Sequence, residues 1–176
     1  MNRVLKFAAF AFCLILLLAD SSPAKEWRGI LPLRSTRTDV ERLYQQVTGA
    51  SLSGVGLPTY SFNILGEGHV DIFFSMERCW QGWDVEPNTV VSVTVNLTTP
   101  IPFEKMRSDL ESLPYEEDDT GALYYKNKKE GIYYAVQAGK VVSITYGPSE
   151  QDQKLSCKKQ GLYIEHKTRW SSVYKS

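Results

Sequence analysis

Gly131-Ile-Tyr-Tyr-Ala-Val-Gln-Ala-Gly-Lys-Val-Val-Ser-Ile-Thr-Tyr146 places two runs of β-branched and aromatic residues either side of a Gly-Lys turn. Short runs of this kind, bounded by turn residues, read as a β-hairpin. The second run, Val141-Val-Ser-Ile-Thr-Tyr146, returns in altered form as Val90-Val-Ser-Val-Thr-Val95, 51 residues earlier. A strand that recurs in this way predicts one unit used twice.

Working back from the earlier copy, Pro87-Asn88 introduces a strand on which Val91, Val93 and Val95 share a face. Val70-Asp-Ile-Phe-Phe-Ser75 alternates likewise, with Val70, Ile72 and Phe74 together, and Gly66-Glu-Gly68 turns it from Tyr60-Ser-Phe-Asn-Ile64. The Gly- and Ser-rich stretch from Ala50 to Pro58 reads as a loop. Ahead of it, Val40, Leu43, Tyr44 and Val47 follow helical spacing, Thr36-x-x-Asp39 and Thr38-x-x-Glu41 both fit a capping box, and Gly49 closes the helix. Trp27, Ile30 and Leu33 are apolar pegs on an extended lead-in.

Working forward, Pro100 and Pro102 separate the copies, and Phe103, Met106, Leu110 and Leu113 form one helical stripe stopped by Pro114. Glu116-Glu-Asp-Asp119 reads as a solvated acidic turn, since consecutive acids point apart and no oxygen-rich calcium loop follows. Ala122-Leu-Tyr-Tyr-Lys-Asn127 and the opening hairpin complete a second three-strand meander. The expected fold is α+β: an antiparallel sheet with helices on one face and a tandem helix-β-β-β pseudo-repeat. Its halves are residues 35–100 and 101–148 of a single domain, 25–157.

Met1 to Ala24 carries Arg3 and Lys6, then 13 apolar residues from Phe7 to Ala19, then Ser22-Pro23-Ala24. That order is a signal peptide, 1–24, and the apolar run is short of the roughly 20 residues a spanning helix needs. Cys13 lies inside the run rather than at a lipidation point. Cleavage leaves 152 residues with 18 basic and 19 acidic side chains and no further segment able to cross a membrane. Near-neutrality argues against nucleic acid as a partner. From Lys158 to Ser176 the chain is a polar, basic tail, suited to an anionic surface or simply to solvent. Export, to a periplasm or the exterior, takes Cys79 and Cys157 to an oxidising compartment. A disulfide between them would close 78 residues and stabilise by about 4–5 kcal/mol on a chain-entropy argument. A reactive thiol pair and half a metal site are the alternatives, with no CxxC spacing and only His69 and His166 as further ligands.

No motif for nucleophilic, phosphate, nucleotide or metal chemistry is present, so neither catalytic residues nor a cofactor is assigned. Trp80 and Trp83 beside Cys79 serve either as packing or as a ligand platform. Two functional readings remain. The first is a non-enzymatic binding or envelope-interaction module that takes a protein, peptide or envelope polymer. The second is an envelope hydrolase with spatially assembled carboxylates such as Asp71, Glu67 or Asp84. For the first reading, if Val70, Ile72, Phe74, Ile132, Tyr134, Val136, Val142 and Ile144 face the core, alternation sends Asp71, Phe73, Tyr124, Tyr133, Ser143 and Thr145 the other way. Phe73, Tyr124, Tyr133, Ser143 and Thr145, with Trp80 and Trp83, are the candidate binding residues. A helix or the tail covering that face would make its rings core instead.

The stretch Trp27-Arg-Gly-Ile-Leu-Pro-Leu-Arg-Ser-Thr-Arg-Thr-Asp-Val-Glu-Arg-Leu43, with Trp83-Asp-Val, Val90 to Val95, Gly131, Val141 to Tyr146 and Leu155-Ser-Cys157, resembles a group of uncharacterised exported bacterial proteins. The resemblance spans about residues 27–157 and implies export and the two cysteine positions, with no activity attached. Tyr44-Gln-Gln-Val-Thr-Gly49 departs from the Leu-Leu-Gly helix end of that group. More distantly, the threonine-capped helix running into a meander is similar in topology to small outer-membrane assembly lipoproteins and to the β-lactamase-inhibitor-like fold, though the lipidated cysteine of the former is missing.

Overall fold

The structure, a computed structural model, describes residues 24–44, 50–52 and 58–157. The signal peptide up to Pro23, the tail 158–176, and Val47 and Gly49 of the expected helix lie outside the described residues. The lead-in is tied down from its start, with the Lys25 N–H donating to Glu130 O at 2.9 Å. Trp27 and Ile30 bridge across Arg28-Gly29, and Trp27, Ile30 and Leu33 are all buried.

Thr36 caps α1 (Arg37–Leu43): its hydroxyl accepts from the Asp39 N–H, and the Asp39 carboxylate accepts from the Thr36 N–H. The reciprocal pair satisfies two donors that the first turn leaves orphaned. The Thr38 alternative is not used, because Glu41 instead accepts from the Tyr60 hydroxyl at 2.5 Å. Val40 is fully buried and Tyr44 packs on the core, but Leu43 is 46% exposed and lies over the Gly29 turn rather than the sheet.

Eight antiparallel strands form one sheet: β1 (Ala50–Leu52), β2 (Pro58–Ile64), β3 (Gly68–Phe74), β4 (Val90–Pro102), β5 (Tyr115–Glu117), β6 (Leu123–Asn127), β7 (Ile132–Gln137) and β8 (Lys140–Tyr146). Their spatial order is β1-β2-β3-β4-β8-β7-β6-β5. The order is symmetric about the β4–β8 seam. Each meander has four strands where the sequence suggested three. β1 lies within the Gly- and Ser-rich loop, and β5 uses Glu116 and Glu117 of the expected acidic turn. Both are short outermost strands, and an edge tolerates charge that a central strand would not. β4 also runs through Pro100 and Pro102 instead of ending before them. Its pairing to β8 breaks between Asn96 and Ile101, where Pro100 has no N–H to offer a ladder.

The registers of the two meanders match pair by pair. Ile72 opposes Val93 as Tyr134 opposes Ile144, and Phe73 opposes Ser92 as Ala135 opposes Ser143. Each ladder then shifts at its next step, Phe74 meeting Val90 and Val136 meeting Val141. The extra residue is Val91 in one and Val142 in the other. For this reason the core position expected of Val142 is taken by Val141, which is fully buried while Val142 is half-buried. At the seam, Thr94 opposes Thr145, Val93 opposes Tyr146 and Val95 opposes Ile144.

Two apolar clusters result. Trp27, Ile30 and Val40 pack with Tyr60, Phe62, Val70, Ile72, Phe74, Val93 and Val95 in the first. In the second, Leu110 of α2 (Arg107–Leu110) packs with Tyr125, Val136 and Val141, flanked by Phe103, Met106 and Leu113. The expected single helix from Phe103 is therefore a 3₁₀ turn, Phe103–Lys105, followed by one α-helical turn. Met106, at φ −117° and ψ 8°, is the break between them. Leu97 touches both clusters.

Gly66 and Gly68 separate backbone strain from backbone collision. Gly66 has φ +82° with open space around it, so Gly66→Ala should lose about 1–2 kcal/mol in urea unfolding. Gly68 has φ +141°, and a Cβ there would lie 1.8 Å from Asn96 O. Gly68→Ala should lose about 3 kcal/mol or more, because β3 must part from β4. Equal losses for the two variants would contradict the β3–β4 register.

Candidate functional site

The face opposite the apolar residues of the strands is polar and runs nearly the full width of the sheet. One row, Lys126-Tyr133-Thr145-Thr94-Asp71-Ser61, crosses β6, β7, β8, β4, β3 and β2, each residue the register partner of the next. At strand spacing it spans about 24 Å. A parallel row, Tyr124-Ala135-Ser143-Asn96-His69-Asn63, crosses the same strands, and Thr59-Phe73-Ser92 crosses three of them. Five of the sequence-derived candidates, Phe73, Tyr124, Tyr133, Ser143 and Thr145, thus share one surface, and all are half-buried. Trp80 and Trp83 are not on these strands. Both sit in the β3–β4 connection, where Trp83 bridges to Ser156, because Cys79 pulls that connection towards the C-terminal segment.

Asp71 is the polar hub of this face. It accepts from Ser61 Oγ at 2.5 Å and from Asn96 Nδ2 at 3.1 Å, and His69 Nε2 lies 3.2 Å away. His69 Nδ1 in turn meets Asn63 Oδ1 at 3.2 Å. Serine, histidine and aspartate meet here, but with the carboxylate between the other two. The serine proton points to Asp71 and not to the imidazole, which is the wrong order for an activated nucleophile. Thr94 and Thr145 hydrogen-bond across the seam at 3.0 Å.

The aromatic members are held at their edges. The Tyr133 hydroxyl donates to Pro148 O at 3.4 Å, its ring lies close to Gly147, and burial pushes its phenol up. Tyr124 donates to Asp118 Oδ2 at 3.1 Å. Asp118 also accepts from the Thr120 hydroxyl and from the N–H groups of Thr120 and Ala122, and these bonds, the Thr120 hydroxyl foremost, hold its carboxyl below the ordinary aspartate range.

The three carboxylates of the hydrolase reading stand apart. Asp71 is on the polar face, while Glu67 pairs with Arg28 on the other face, at a cavity of about 400 Å³ lined by Trp27, Val95, Leu97, Ile144 and Tyr146. Asp84 pairs with Arg78 beyond the sheet. Cys79 and Cys157 are joined, Sγ to Sγ, with Asp84 close to both sulfurs. Ser61, Asn63, His69, Ser92, Thr94 and Asn96 were not named from sequence as part of this surface. The alternation that selected Phe73 and Tyr133 could have found them, once the pairing of β2, β3 and β4 was known.

No protein-family model and no curated protein matches this sequence. Among solved structures the fold is similar to a DUF4309 family protein, YjgB, from Bacillus subtilis subsp. subtilis str. 168, with a TM-score of 0.52 over 71% of this chain and 86% of that one, at 9% identity. At that identity the match concerns the fold alone.

The Asp118 anchor has a pH signature. A carboxyl whose pKa is lowered by folding adds stability above its unfolded pKa, and that stability is lost as pH falls through the folded value. Asp118→Asn should therefore flatten the acid limb of the stability curve below about pH 4, measured by urea unfolding across that range. An unchanged acid limb would remove Asp118 as the anchor of Tyr124.

Proposed function

We propose that this chain is an exported, non-enzymatic binding module built from two related halves, and that its polar sheet face takes a protein, peptide or envelope polymer. The observation that carries the reading is the pair of polar rows across six strands, which include Tyr133 and Tyr124, with Phe73 on the same face beside them. Rings supply contact area at small entropic cost, and hydroxyls, amides and one carboxylate supply directional bonds between them. The symmetric strand order and the matched shifts at Phe74 and Val136 support the halves as a tandem pseudo-repeat. Val40 and Leu110, packed on the apolar residues of the same strands, support helices on that one face. Export is supported by the signal-like leader, the resemblance to exported bacterial proteins and the Cys79–Cys157 disulfide. Among the described residues no helix is long and apolar enough to cross a membrane.

The test is capture by immobilised mature protein, starting at Lys25, from separated protein, peptide and glycan fractions of the cell envelope. Phe73→Ala with Tyr133→Ala should weaken capture at least tenfold, about 1.4 kcal/mol, while shifting Tm by no more than about 4 °C. Capture left intact with stability lost would assign these rings to the core and sink the proposal.

A further inference from the structure

Within the two polar rows, Ala135 is the one residue with neither a polar side-chain atom nor a ring. Two tyrosines stand beside it. Tyr124 is its register partner on β6, and Tyr133 precedes it by two residues on β7. Both rings are held away from it. The Tyr124 tip is drawn towards β5 by Asp118 at 3.1 Å, and Tyr133 leans the other way, against Gly147, with its hydroxyl on Pro148 O at 3.4 Å. A single methyl group between two anchored rings leaves a shallow seat. Ser143 lies opposite Ala135 on β8, and exposed Gln137 follows two residues on along the same face. The Ser143 hydroxyl has no hydrogen-bond partner among the described residues.

The charges of the rows are already met. Lys126 is taken by Glu116 at 2.5 Å, and Asp71 accepts from Ser61 and Asn96 beside His69. At the border, Asp118 and Lys140 are of opposite sign. A face so balanced has little to draw a charged polymer, whose attraction depends on a field of one sign. Its middle also differs from the centre of a protein–protein interface, where aromatic and arginine side chains concentrate and serine and threonine seldom carry the energy. Here the middle is Thr145, Thr94, Ser143 and Asn96, and every side chain of the two rows is half-buried or exposed.

We propose that the seat over Ala135 and the row that continues from it take an uncharged polysaccharide of β-linked pyranose units. The proposal rests on reading the polar face as a binding surface, and it names the ligand of that surface. A pyranose with equatorial substituents has an apolar face of C–H bonds and a rim of hydroxyls. The apolar face lies on Ala135 between the two rings, while the rim exchanges hydrogen bonds with Ser143 and Gln137, whose groups both donate and accept. Because both tyrosines are anchored at their tips, they have little freedom left to lose on binding. The strand spacing of about 4.8 Å is close to the advance of one such sugar along its chain, so the next unit meets the next strand, at Asn96.

The test is an NMR titration of the mature chain, starting at Lys25, with cellohexaose and N-acetylchitohexaose, the β-linked hexamers of glucose and N-acetylglucosamine. Maltohexaose, α-linked and coiled, is the control. At least one β-linked hexamer should shift the amide signals of Tyr124, Ala135 and Ser143, bind at least tenfold more tightly than maltohexaose and keep its affinity as salt is raised. Ala135→Leu fills the seat and should weaken that binding at least tenfold. Ser143→Ala removes a hydroxyl alone and should weaken it at least twofold with Tm unchanged. No response to either β-linked hexamer, shifts confined to other residues, or equal binding of maltohexaose would overturn the proposal. If a protein or peptide fraction is captured through Phe73 and Tyr133 while both hexamers leave Ala135 unmoved, the polysaccharide falls and the binding face stands. If nothing is captured and nothing shifts, both fall.

Discussion

Two meanders become one sheet through the pairing of β4 with β8, and the rest of the structure depends on its register. With Thr94 opposite Thr145, the pairs Val93–Tyr146 and Val95–Ile144 fall on the core side together. A shift of β8 by one residue would carry Ile144 and Tyr146 to the polar face and drive Thr145 and Ser143 inward. The threonine hydroxyls, bonded to each other at 3.0 Å, can satisfy one another only in the observed register. Leu97, in contact with both apolar clusters, joins the halves on the core side of the same seam.

From that seam outward the two halves diverge in what they carry. The first is heavily filled: Trp27 and Ile30 of the lead-in and Val40 of α1 close over Val70, Ile72 and Phe74. The second has a helix of a single turn, and Tyr125 is flanked instead by the rings of Phe103 and Tyr115, at 5.6 and 5.3 Å. The long β3–β4 connection, absent from the tight β7–β8 turn, carries Cys79 and receives Cys157. The segment between β8 and Cys157 is also held at Asp152, 1% exposed, which takes Arg34 at 3.0 Å and both the N–H and hydroxyl of Ser149. Removing Arg34 would leave a buried carboxylate short of its counter-charge, a costly state. Covalent and ionic ties thus hold a segment that contributes few apolar contacts of its own.

What the sequence made legible follows from the range of each interaction. Local signals were sufficient for the Thr36–Asp39 cap and for the alternation that sets Phe73 against Phe74 and Tyr133 against Tyr134. The repeated Val-Val-Ser motif marked β4 and β8, but not that they would be neighbours. Edge strands escaped notice because β1 and β5 are three residues each and owe their existence to a partner strand, not to their own composition. The same limit applied to the site. Phe73 and Tyr133 could be placed on a face from period alone, whereas the convergence of Ser61, His69 and Asn96 on Asp71 needs three strands in register. Trp80 and Trp83 join that face only by their chemistry; in the chain they lie between β3 and β4, in the connection that carries Cys79.

Cross-strand nuclear Overhauser contacts in the mature protein test the β4–β8 register most directly. Backbone and side-chain contacts should link Thr94 with Thr145, Val93 with Tyr146 and Val95 with Ile144. Contacts displaced by one residue, or an absence of contacts between the two strands, would contradict the seam, the polar face and the correspondence between the halves together.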